Sequence, residues 1–170
     1  STEFLHLHIQ FEKDGKIVDP FVGLGRDDAS CGLGAAPLWE QAVLRKFRYS
    51  APLIQASGIA DSAPDPLGVA EGKFTEPQIA ADAPLLVLWT DLYGLQSGDR
   101  VSMRFTAPDG AVLAETSWVQ EQSKLRTFKY IGKKARAAWT KGAYRGVVQI
   151  ERPSGPGKNH TVQTVDLRID

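Results

Sequence analysis

The chain holds one cysteine, Cys31, one methionine, Met103, and three histidines among 170 residues. A single thiol excludes an internal disulfide, so no covalent staple supports the fold. Net charge is zero, with twenty Lys and Arg against twenty Asp and Glu. That balance argues against a partner of one strong charge: no nucleic acid and no anionic membrane surface is expected. No stretch approaches the roughly 18 apolar residues that cross a bilayer, so no membrane span is expected, and no charged-then-apolar leader opens the chain. At 42% hydrophobic residues the composition points away from disorder and suffices for one core with an appendage.

Two of the three histidines stand one residue apart in Leu5-His6-Leu7-His8-Ile9-Gln10-Phe11, where apolar and polar positions alternate strictly. Alternation with period two predicts a half-buried strand, with Leu5, Leu7, Ile9 and Phe11 facing a core and both imidazoles on the other face. Neighbouring imidazoles can converge on one metal or water, and they suit proton transfer near neutrality. Asp14-Gly15 then predicts a tight turn into a second short strand that Pro20 stops.

The run His6-Leu7-His8-Ile9, the Asp14-Gly15 turn and Val18-Asp19-Pro20 resemble the end of the catalytic domain of lysostaphin/LytM-type zinc endopeptidases, which cut peptide cross-links in peptidoglycan. The resemblance implies that His6 is the catalytic base or electrostatic stabiliser, that His8 ligates Zn2+, and that the setting is the bacterial periplasm or cell envelope. In that family a further His and Asp upstream complete the zinc set, and this chain has neither. A catalytic zinc needs about three protein ligands, so the chain alone is expected to be inactive and to hold zinc weakly or not at all. Ser1 opens almost inside a strand, and the chain reads as the carboxy-terminal part of a longer enzyme whose partner is a peptidoglycan peptide or an envelope protein.

Two alternatives belong to other classes. His6-x-His8-x-x-x-Glu12, with His160 as a later ligand, is similar to the metal motif of cupin barrels, although Asp19 stands where that pattern has glycine. The other alternative, compatible with the peptidase resemblance, is a non-catalytic envelope binding or regulatory module. Otherwise His160 reads as a strand-edge or loop residue and Cys31 as a small buried thiol.

Glycine and aspartate crowd the stretch from Val22 to Ala36, which predicts a connector. The organisation expected is therefore a peptidase remnant over 1–22, a linker over 23–36 and a second domain over 37–170. Apolar spacing predicts a short helix over 37–47, with Trp39 as a packing anchor, and at most one helical turn over 67–73. Strands are predicted over 52–59, 85–92, 100–106, 111–119, 125–131, 143–150 and 161–169. About seven short antiparallel strands argue for a mainly β chain, a hairpin followed by an immunoglobulin- or fibronectin-like β-sandwich. Gly142-x-Tyr144 before the penultimate strand resembles the tyrosine corner of such sandwiches. The order Cys31, Leu38-Trp39, Gly58, Trp89, Gly94-Leu95-x-x-Gly98-Asp99, Pro108-Asp109-Gly110 and Gly142-x-Tyr144-x-Gly146 is similar to a carboxy-terminal extension found on some proteobacterial members of the peptidase family.

Asp91, Asp99 and Asp109 read as ordinary turn and strand-end residues. Lys124, Arg126, Lys129, Lys133, Lys134 and Arg136, interleaved with Phe128 and Tyr130, form a basic stripe read as a lysine-protected sheet edge rather than a docking face for an acidic partner. Gly155-Pro156-Gly157-Lys158 reads as a hairpin tip.

Overall fold

The computed structural model describes residues 9–23, 34, 36–46, 52–74, 79–153 and 160–170. His6, His8, Cys31 and the Gly155 to Lys158 tip lie outside them. The chain divides into two compact units, Ser1–Ala51 and Pro52–Asp170.

In the first unit β1 (Phe11–Lys13) pairs antiparallel with β2 (Lys16–Val18), Phe11 opposite Val18. Asp14 and Gly15 turn the chain with φ of 52° and 71°, the two positive values that a tight hairpin of right-handed twist requires. The strand begins at Phe11 within the described residues, and Ile9, expected to face a core, is 66% exposed. The reason is size: two strands of three residues leave Ile9 and Ile17 exposed, and Phe11 finds its aromatic neighbour outside them. Trp39 supplies that neighbour, its ring 5.6 Å from Phe11 and 5.8 Å from Phe21. The expected helix over 37–47 contracts to α1 (Gln41–Leu44), because the Glu40 side chain makes no cap and the Leu38 amide is committed to the carbonyl of Pro20 at 2.9 Å. Segment 37–46 thus packs with the hairpin, whereas the sequence pattern assigns it to the second domain.

The second unit is a β-sandwich. A three-stranded sheet runs β3 (Leu53–Ala60), β4 (Leu85–Leu95), β7 (Lys124–Lys134), and a four-stranded sheet runs β6 (Val112–Val119), β5 (Arg100–Thr106), β8 (Gly142–Glu151), β9 (His160–Ile169). Every pairing is antiparallel. The fourth strand of the sandwich pairs with the third and not with the fifth, which gives the three-plus-four arrangement of the fibronectin-like branch. These are two open sheets rather than a cupin barrel, and Glu12 and His160 belong to different units.

Alternation builds the core. Val101, Met103 and Phe105 from β5 meet Leu86, Leu88 and Leu92 from β4 and Tyr144, Val148 and Ile150 from β8, all sealed from solvent. Each such side chain contributes about 1.5–3 kcal/mol of burial. Gly146 lets the sheets close, since a Cβ there would stand 2.4 Å from Leu88 Cδ1. The Tyr144 hydroxyl donates to the Thr140 carbonyl at 2.8 Å, so the expected tyrosine corner is formed.

β4 is buried on both faces, which is why its sequence is a nearly continuous apolar run rather than an alternation. Its second face, Val87 and Trp89, is covered by Val69, Phe74 and Phe128. Val69 comes from α2 (Pro66–Ala70), capped by the Asp65 carboxylate on the Gly68 amide at 2.8 Å.

Candidate functional site

Downstream of the His-x-His segment the hairpin geometry is well defined. Leaving β2, the chain meets Asp19, whose carboxylate accepts from the Phe21 amide at 2.8 Å and the Val22 amide at 3.4 Å, and Gly23 N–H donates to the Asp19 carbonyl at 2.8 Å. Val18-Asp19-Pro20 is thus a strand end closed by an Asx turn. Glu12, the acidic member of the cupin alternative, is exposed on β1.

On the sandwich, His160 opens the edge strand β9 opposite Glu151, with Nε2 3.9 Å from the carboxylate and both side chains exposed. Among the described residues no three His, Cys, Asp or Glu side chains gather where they could hold a metal.

Asp91 and Asp99 are both buried, and Asp99 keeps its expected place in the turn before β5 while Asp91 departs from the expectation. Asp91 is not a strand-end residue: it lies within β4, 4% exposed, and Arg126 clamps it through Nε at 2.9 Å and Nη2 at 2.8 Å. The hydrogen bond to Asp91 is the main cause holding the Arg126 guanidinium above its ordinary pKa. Asp99 is buried beneath Arg152 and also accepts from the Gln96 amide at 2.8 Å. Asp109 is a turn residue as expected, accepting from the Ala111 amide at 2.9 Å. A carboxylate inside Leu85–Leu95 was the sequence signal for the first pair, since a charge in a buried strand demands a partner. The Asp91 and Asp99 carboxylates are structural: each is saturated by a guanidinium.

The basic stripe does not form one face. Alternation along β7 sends Arg126, Phe128 and Tyr130 to the side of Tyr93, Asp91 and Trp89, their respective partners on β4, and turns Lys129 to the opposite side. There Lys129 Nζ stands 5.6 Å from the ring centre of Trp118, within cation–π range.

Three of the recesses on the sandwich are lined by described residues. One of about 480 Å³ lies on the outer face of the four-stranded sheet between Arg100, Ser102, Ser117, Gln149 and Glu151. A second, about 440 Å³, runs by Trp118, Gln120, Thr127 and Lys129. The third, about 360 Å³, follows β3 and is bounded by Gln163, Val165 and Leu167 of β9 and by Phe74 and Trp89. Sequence reasoning found none of them, because each joins strands distant along the chain.

No family model matches the chain, and no curated protein does. Among solved structures it is similar to the crystal structure of the C-terminal domain of wzt, with 11% identity over 71% of this chain and 74% of that one and a TM-score of 0.39.

Proposed function

We propose that the chain is the carboxy-terminal portion of a zinc endopeptidase acting on peptidoglycan peptides in the bacterial periplasm or cell envelope, with the β-sandwich as its accessory interaction module. In this reading His8 binds zinc, and His6 serves beside it as base or as stabiliser of the developing oxyanion. The metal, when bound, supplies a water activated for attack on a peptide carbonyl.

The observation that carries the reading is the hairpin. Its tight Asp14-Gly15 turn and its closure at Val18-Asp19 come after the His-x-His segment in the order that the resemblance requires. Ile9 and Ile17 are 66% and 72% exposed on a ribbon of two three-residue strands. Such a ribbon is marginal alone, and its open apolar residues suit a pair of strands whose sheet neighbours lie elsewhere in a longer protein.

The test is wall hydrolysis by the full gene product. Release of soluble fragments from purified peptidoglycan is expected from the native protein and is expected to vanish in His6→Ala and His8→Ala. Undiminished release by His8→Ala overturns the reading.

A further inference from the structure

We infer that the free edge of β7 is a strand-addition site for an extended, acidic segment of another protein. The net charge of zero conceals a segregation: residues 122–150 hold eight Lys and Arg and no Asp or Glu. β7 carries five of the eight and ends its sheet, with β4 as its only sheet neighbour among the described residues. None of its eleven residues is buried, so alternate N–H and C=O groups turn away from β4 along an open edge. Arg126 is committed to Asp91, whereas Lys124, Lys129, Lys133 and Lys134 have no carboxylate partner among the described residues.

Lysines guard an edge against neutral or basic strands, because pairing would strip water from ammonium groups and return no partner. An acidic strand supplies that partner, so the same residues that reject other strands select this one. The division of the stripe between two faces suits such an occupant: an added strand sends its side chains to both faces in turn, toward Arg126 and Lys134 on one and Lys129 and Lys133 on the other. Leu125 and Tyr130 are 78% and 47% exposed on the same strand. Guarding an edge needs only charge, whereas an added strand also covers these two. On the Lys129 side, the recess of about 440 Å³ gives incoming side chains a place, and its lining sets one carboxylate, Glu121, against Lys124 and Lys129. Main-chain pairing then gives affinity and the lysines give specificity. A second copy is the wrong occupant. β7 against β7 sets five cations on five, and the other free edges of the sandwich offer little acid: β3 is uncharged, β6 has Glu115 alone, and on β9 Arg168 offsets Asp166. The site is independent of the zinc reading, and either can fail alone.

The experiment is amide hydrogen exchange by NMR on the whole chain with a blocked peptide of three Glu-Glu-Val repeats, whose period places carboxylates on both faces of an extended strand. Its controls are the Gln-Gln-Val counterpart, the acidic peptide N-methylated at every residue, and inorganic polyphosphate. At a concentration about ten times Kd the acidic peptide is expected to slow exchange at alternate β7 amides about tenfold. The Gln-Gln-Val peptide is expected to bind at least about tenfold more weakly, and the N-methylated peptide and polyphosphate to leave β7 exchange unchanged. Lys124→Gln with Lys133→Gln, both exposed positions, is expected to weaken binding about tenfold while the melting temperature holds. Should that variant unfold, the Gln-Gln-Val arm decides. No slowing at β7 with the acidic peptide, or equal slowing with either control peptide, overturns the inference. Protection of β7 by polyphosphate overturns it in favour of a polyanion, and concentration-dependent dimerisation that protects β7 without peptide overturns it in favour of a second copy.

Discussion

Arg152 forks onto Asp99, with Nε 2.8 Å from Oδ1 and Nη2 2.7 Å from Oδ2, while the side chains remain only 6% and 1% exposed. The same guanidinium donates to the Gly94 carbonyl at 3.0 Å, and Asp99 accepts from Gln96. One ion pair therefore fastens the turn between β4 and β5 to the end of β8.

Removing half of that pair leaves a buried charge without its counter-ion. Asp99→Ala or Arg152→Ala is expected to cost about 3–5 kcal/mol, read from urea unfolding. The double replacement should cost clearly less than the sum of the two. Arg152→Lys keeps the charge but not the fork, and is expected to fall between native and Arg152→Ala.

Tyr144→Phe removes the hydroxyl that donates to Thr140, and a loss of about 1 kcal/mol is expected. Its pH dependence is diagnostic. Burial, aided by Asp109, raises the phenol above 10.0. The associated stability is whole below pH 10, where both states are protonated, and is lost as pH rises from the unfolded value through the raised native one. Native protein should lose stability over that window more steeply than Tyr144→Phe, as equilibrium unfolding at stepped alkaline pH would record.

Gly146→Ala tests the closeness of the sheets. Its new methyl meets Leu88 at 2.4 Å, inside contact distance, so a cost of about 1–3 kcal/mol from overpacking is expected. Combining it with Leu88→Ala should relieve part of the clash, and thermal unfolding of the three variants distinguishes relief from simple addition.

The sandwich was legible because its strands carry local signatures. Val101, Met103 and Phe105 alternate, Pro108-Asp109-Gly110 marks a turn, and Gly142-x-Tyr144 marks the corner. Strand β4 was legible as apolar but not as doubly buried, since its second cover comes from Val69 and Phe74 in a segment without period. The guanidinium partners of Asp91 and Asp99 lie 35 and 53 residues away, beyond any local pattern. The recess along β3 was illegible for the same reason: Ser57 and Val165 meet only when the sheets are stacked. For the candidate metal site the residue types were readable, but His6 and His8 fall outside the described residues, and their role rests on the resemblance and on the hairpin downstream of them.

The central claim is that His8 holds a zinc ion in the intact gene product, and elemental analysis of purified protein tests it most directly. About one zinc per chain is expected in the native protein, with His8→Ala close to none and His160→Ala unchanged. Zinc content that survives His8→Ala, or that falls with His160→Ala, contradicts it.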